Sequence, residues 1–232
     1  MEKNKLKKKV EVIAEIANAH QGSAKIAYKL ACAFHAAGAD AIKLQIYFAD
    51  ELLSINHPRY SHFKNQSFSV KIWNKLIKDI KKKKIKIYCD VFGVKAFKVA
   101  NSNNVDGFKI HSSDLNNLQL INLIKKTNKK IFLSTGGSTI SEVAYAVKLL
   151  TSQNRKPILL HGFQSYPTKI SNCDISKIQV LKKIFQNKCQ YGYQDHVSAE
   201  DNFNYVSPIL AINQEQNILK STSRLIDQKK ES

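Results

Sequence analysis

Two hydrophobic rhythms alternate along the chain. Short β-rich runs recur at residues 10–17 (VEVIAEIA), 40–47 (DAIKLQIY), 84–91 (KIKIYCDV), 107–112 (GFKIHS), 129–135 (KKIFLST), 156–163 (KPILLHGF) and 189–196 (CQYGYQDH). These seven runs read as strands. Between them apolar residues return at helical spacing, as at Ile26, Leu30, Ala33 and Phe34 ahead of Gly38, where the helix is expected to stop. Strands alternating with helices predict parallel pairing through right-handed crossovers. Residues 48–67 (FADELLSINHPRYSHFKNQS) follow neither period and read as an active-site loop. No repeat at a solenoid period and no low-complexity linker interrupts the pattern, so one domain is expected.

Polar side chains collect where the runs end: Glu15, Lys43 and Gln45, Asp90, Lys109 and Ser112, Ser134 and Thr135, Gln164 and Tyr166, Asp195 and His196. In a parallel barrel the carboxyl ends of the strands form the face on which active sites are built. An open Rossmann-like sheet is the competing architecture, but no GxGxxG follows the first run and the polar ends are spread over all seven. The expected fold is α/β, a (β/α)8 TIM barrel that is incomplete, with seven of its eight strands legible.

Composition narrows the function classes. Thirty-seven lysines and arginines against 18 acidic residues give a formal net charge of +19, a balance that invites a nucleic-acid reading. Arginine, which reads bases and phosphates with two donors at once, occurs only at Arg59, Arg155 and Arg224. The rest of the excess is lysine, whose runs Lys7–Lys9 and Lys81–Lys84 fall at the chain start and at a helix end. No nucleic-acid partner is expected, whereas an anionic substrate would tolerate the field. No apolar run approaches the ~18 residues of a membrane span and the start MEKNKLKKKVEV has no apolar h-region, so no membrane association is expected and a cytoplasmic location is the default. Cys32, Cys89, Cys173 and Cys189 show no CxxC spacing and read as reduced, mostly buried thiols.

The order of the strand-end segments carries a resemblance. IAEIANAHQG (13–22), AGADAIKLQ (37–45), FKIHSSDLNN (108–117), IFLSTGG (131–137), LLHGFQSYPT (159–168) and GYQDH (192–196) together resemble the N-acetylneuraminate (sialic acid) synthase family. Related phosphoenolpyruvate aldolases share fold and chemistry, but HGFQSYPT and GYQDH point to the sialate branch. The resemblance implies condensation of phosphoenolpyruvate with N-acetylmannosamine or a related aminosugar, with a divalent cation, Mn2+ or Mg2+, as cofactor and a homodimeric assembly. It implies substrate binding by Lys43, Lys109, Ser112, Ser134, Thr135 and Gln164, and catalytic roles for Glu15, Asp114 and Tyr166. His196 matches one of two histidine metal ligands. An anion with a phosphate and a carboxylate needs cations and hydroxyl donors converging from several strands, and Lys43, Lys109, Ser112, Ser134 and Thr135 are of those types. Gln164 stands where much of the family has asparagine, and Asp90 where many members have a threonine that contacts phosphate.

After Gln214 the resemblance stops, although the family continues through an eighth strand carrying a glutamate-lysine-histidine motif and usually an antifreeze-like domain. Residues 215–232 (EQNILKSTSRLIDQKKES) show no strand pattern. Back-translated and shifted by one base, they can read GAKYIEKHITLDRSKKGV, which has the form of the missing strand. The expected organisation is a synthase-type barrel over residues 1–214 and an out-of-frame tail over 215–232, without the C-terminal domain. An inactive fragment of such a synthase is the alternative reading.

Overall fold

The computed structural model describes residues 10–152, 155–214 and, for the backbone, 218–222. Eight parallel strands close into a barrel in chain order: β1 (Glu11–Glu15), β2 (Ala41–Ile46), β3 (Ile87–Val91), β4 (Gly107–Ile110), β5 (Lys130–Ser134), β6 (Ile158–His161), β7 (Gln190–Gln194) and β8 (Ile218–Thr222). The α-helices are α1 (Ala24–Ala36), α2 (Ala49–Leu52), α3 (Tyr60–Gln66), α4 (Val70–Lys82), α5 (Val94–Ser102), α6 (Leu118–Lys125), α7 (Ile140–Leu150), α8 (Lys177–Phe185) and α9 (Phe203–Asn213). Local chemistry starts several of them. Ser23 and Ser69 accept from Ile26 N and Ile72 N at the starts of α1 and α4, and Thr139 with Glu142 forms a reciprocal capping box on α7.

All seven expected runs are strands, and two expectations need correction. The barrel is not left at seven strands. Ile218–Thr222 lies between β1 and β7 and pairs in parallel with both, from Glu11↔Ile218 to Glu15↔Thr222 and from Gly192↔Ile218 to Gln194↔Lys220. The demand is set by backbone: open edges on β1 and β7 would carry a row of unpaired N–H and C=O groups, and an extended segment of almost any side-chain pattern satisfies them. The other expectation for residues 215–232, an out-of-frame tail, lies outside the described residues apart from this backbone. The second correction concerns residues 48–67, which hold α2 and α3 rather than loop alone. Neither helix is long enough to show an apolar stripe, and α3 buries no side chain.

Strand alternation divides the core into two shells. Outward-facing residues such as Ile42, Leu44, Cys89, Phe108 and Leu133 pack beneath the helices with Leu30, Trp73 and Ile77. Inward-facing Ile13, Ala41, Tyr88, Phe132, Ile158 and Leu160 form a separate cluster that fills the barrel lumen. Below this plug Glu11 accepts from Tyr88 Oη at 2.6 Å and from Lys130 Nζ at 2.7 Å. Two residues further along the same strands the inward series continues as Glu15, Lys43, Asp90 and Ser134, so the plug becomes the floor of the carboxyl rim. The last helix packs differently. In α9 only Ser207 and Ala211 are buried, while Tyr205 is 70% and Ile209 59% exposed. Among the described residues no helix is long and apolar enough to cross a membrane.

Candidate active site

The rim is built around a buried four-membered ion cluster. Register places Glu15 beside Lys43 on β1 and β2, and Asp90 beside Lys109 on β3 and β4. The ammonium of Lys43 bridges the Glu15 carboxylate and Asp90 Oδ2, the latter at 3.1 Å, and Lys109 Nζ donates to the same Asp90 oxygen at 2.6 Å. Side-chain exposure is 3% or less throughout, so these pairings act with little solvent screening. Gln45, two residues along β2, donates from Nε2 at 3.0 Å to Glu15 Oε1, the same oxygen that Lys43 contacts, so two donors hold that carboxylate.

Burial and charge compete in this cluster. Burial pushes the Asp90 carboxyl up, but Lys109 and then Lys43 outweigh it and hold its pKa at about 2. Burial likewise disfavours the charged form of Lys43, yet Asp90 and Glu15 raise its pKa above the usual lysine value. Lys109 is shifted down by burial, with Lys43 adding repulsion and Asp90 only partly compensating. Of the two cations, Lys109 is therefore the one less fully neutralised by its neighbours.

Hydroxyl and amide groups from β4 to β7 form the other half of the rim. Gln164 Nε2 donates to Ser112 Oγ at 2.7 Å and to Ser134 Oγ at 3.1 Å, and Gln194 Nε2 donates to Ser134 Oγ at 2.9 Å. A serine hydroxyl has two acceptor positions and one donor. With both acceptor positions of Ser134 taken, its own hydrogen is turned to donation, the polarity that an oxyanion requires. Close backbone approach permits this arrangement: a Cβ on Gly162 would fall 2.3 Å from Gln194 Cγ, and one on Gly136 would fall 2.1 Å from Gly162 O.

The remaining expected site residues are distributed around this centre. Thr135 is turned toward β6, its Oγ1 and backbone N donating to Leu160 O at 3.2 and 3.1 Å. Asp114, half-buried after β4, accepts from Asn117 Nδ2 at 3.2 Å. Tyr166 is 36% exposed on the segment after β6. His196 lies two residues beyond β7, and its Nδ1 donates to Phe163 O at 2.6 Å, which puts the ring lone pair on Nε2, the form a metal ligand requires. Among the described residues no three histidine, cysteine or carboxylate side chains group to hold a metal ion. These residues alone therefore do not fit the two-histidine cation site that the resemblance implies. Gln45 stood with Lys43 among the polar residues at the strand ends, whereas Gln194 was not singled out from sequence. The available signal was strand parity, since Gln194 lies two positions before His196 and so shares its face.

A parallel barrel with buried lysines, carboxylates and oriented hydroxyls gathered at its carboxyl rim defines the class: a TIM barrel with a polar, anion-compatible site at the face where such barrels act. The NeuB family model matches residues 30–211. The chain belongs to the NeuB family. It is 36% identical over 186 residues to a protein of Methanocaldococcus jannaschii described as uncharacterized, covering 80% of this chain and 55% of that protein. To N,N'-diacetyllegionaminic acid synthase of Campylobacter jejuni it is 29% identical over 206 residues, covering 82% of this chain and 61% of the relative. The chain thus spans somewhat more than half the length of these curated relatives. The crystal structure of N-acetylneuraminic acid (sialic acid) synthetase from Leptospira borgpetersenii in complex with citrate superposes with a TM-score of 0.85 at 26% identity, covering 97% of this chain and 78% of that one.

Proposed function

We propose that this barrel serves a sialic-acid-type synthase that condenses phosphoenolpyruvate with N-acetylmannosamine or a related aminosugar aldehyde. The observation that carries the reading is the pair Lys43 and Lys109, two buried cations held by one carboxylate oxygen at the rim of a NeuB-family barrel. In the proposed reaction C3 of phosphoenolpyruvate attacks the aldehyde carbon, water adds at C2, and phosphate leaves by C–O cleavage to give a 2-keto sugar acid. Lys43 and Lys109 bind the anionic groups, and Ser134 and Ser112, aligned by Gln164, supply hydroxyl contacts. Glu15 positions Lys43 beside the substrate, Asp114 meets sugar hydroxyls, Tyr166 lines the pocket, and Thr135 shapes the β5 turn that carries these donors.

A divalent cation, Mn2+ or Mg2+, is the cofactor that accompanies this reading, and it would polarise the sugar aldehyde. His196, with its lone pair on Nε2, is the candidate ligand on this chain. The substrates are small molecules, with no nucleic-acid or membrane partner, in a cytoplasmic setting; a homodimer is the assembly that the family resemblance implies. The second reading, an inactive fragment of such a synthase, is favoured by one observation: the described residues do not complete a metal site. On that reading residues 215–232 are translated one base out of frame.

The test is formation of a 2-keto sugar acid from phosphoenolpyruvate and N-acetylmannosamine with manganese present. It compares the 232-residue chain with a protein whose frame is shifted by one base after the Gln214 codon and continued into the downstream DNA. Product from the frame-shifted protein supports the synthase reading, and no product from either protein contradicts it.

A further inference from the structure

We propose that Asp90 is an internal occupant of the anion site, so that a phosphate oxygen reaches Lys43 and Lys109 only by displacing the Asp90 carboxylate from between them. The proposal rests on the functional reading for the nature of the incoming anion, and on geometry for the rest. Asp90 Oδ2 takes up both cations at once, 3.1 Å from Lys43 Nζ and 2.6 Å from Lys109 Nζ. With Glu15 on the far side of Lys43, the cluster contains two carboxylates and two ammonium groups, so its formal charge is zero. An incoming phosphate therefore meets a neutral cluster rather than a dication, and must desolvate without a net countercharge.

A second observation separates an occupant from an ordinary structural counterion. A buried carboxylate held for stability uses both oxygens, because an acceptor buried without a donor is costly. Asp90 is fully buried, yet its Oδ1 has no hydrogen-bond partner among the described residues. The carboxylate is thus fastened through one oxygen, and only to the two groups that an anion would use. The hydroxyl half of the rim is arranged differently. Ser134 has its acceptor positions filled by Gln164 and Gln194 and keeps its hydrogen for donation. The rim therefore has donors set for an oxyanion and an aspartate in the place where that oxyanion would be neutralised.

The experiment measures inorganic phosphate binding on the full 232-residue chain, by phosphorus NMR titration and by the effect of phosphate on the thermal midpoint, with chloride matched for ionic strength. The native chain is expected to bind phosphate no more tightly than in the millimolar range. Asp90→Asn, which keeps the shape and removes the charge, is expected to bind at least about tenfold more tightly, the smaller end of what one close charge pair contributes. Its thermal midpoint should rise with phosphate, and adding Lys109→Met should abolish the response. Micromolar phosphate binding by the native chain, with perturbation of the Lys43 and Lys109 ammonium signals, would overturn the proposal without any variant being needed. So would a folded Asp90→Asn chain that gains nothing from phosphate, because Asp90 would then be a counterion only. Turnover is not part of this measurement. A synthase assay that fails leaves the proposal standing, and a native chain that binds phosphate tightly and turns over ends it while leaving the synthase reading intact.

Discussion

Lys109 Nζ and Asp90 Oδ2 approach to 2.6 Å across the β3–β4 pairing, with both side chains buried. Asp90 also receives Lys43 from β2, so one oxygen joins three adjacent strands at the barrel rim. Breaking a buried pair by removing one partner leaves an uncompensated charge and typically costs about 3–5 kcal/mol. Asp90→Ala, which leaves Lys109 without its carboxylate partner and Lys43 with Glu15 alone, should lower unfolding stability by that amount in urea titration. A loss below ~1 kcal/mol would mean that water already solvates the lysines.

The same pair fixes the acid behaviour. The folded pKa of Asp90 is about 2, below its usual value of 3.8. Its contribution to stability is therefore fully present above pH ~4 and is lost as pH falls from there toward ~2, amounting to roughly 2 kcal/mol. Carbon-13 NMR of the Asp90 carboxyl should show no protonation between pH 7 and 4. Titration near the ordinary aspartate value would contradict the ion cluster.

Ser134 accepts from two glutamine amides, at 2.9 Å from Gln194 and 3.1 Å from Gln164. Ser134→Ala removes that shared acceptor and leaves a buried donor on Gln194 unpaired, at a cost of about 1–3 kcal/mol. The loss should appear in the denaturation midpoint, together with weaker phosphoenolpyruvate binding.

Gly162→Ala tests the close approach that sets this amide in place. Its Cβ would lie 2.3 Å from Gln194 Cγ and 2.4 Å from Gln194 O, and backbone cannot yield as a flexible side chain can. A destabilisation of at least about 1–3 kcal/mol is expected, as for an overpacked core. An unchanged midpoint would show that β6 and β7 are farther apart than described.

The barrel strands were legible because burial imposes a period. In β2 the series Ala41, Lys43, Gln45 faces inward and Ile42, Leu44, Ile46 outward, so a lysine in an otherwise apolar run marks the rim. Other features left no such trace. Ile218–Thr222 owes its place to the backbone ladders of β1 and β7, and hydrogen-bond demand has no side-chain pattern to read. Helices α2 and α3 are four and seven residues long, too short for a stripe. Within the site, Lys43, Lys109, Ser112 and Ser134 stood out by type at strand ends. Their capture by Asp90, Gln164 and Gln194 depends on distances between strands that are separate in sequence. Thr135 looks equivalent to Ser134 in sequence, yet alternation sends it to the β6 backbone instead.

The central claim is that Lys43 and Lys109 form the phosphoenolpyruvate site, and Lys109→Met addresses it most directly. The substitution removes the charge of the cation less fully neutralised by its neighbours while keeping most of the side-chain volume. A charge-assisted contact contributes roughly 1.5–3 kcal/mol, about a ten- to hundredfold change in affinity. The measurement is phosphoenolpyruvate affinity by calorimetry, made on the frame-restored protein with and without the substitution, alongside 2-keto sugar acid formation. A loss of affinity of that size, with synthesis falling in parallel, is the predicted result; unchanged affinity and turnover in a folded Lys109→Met protein would contradict the claim.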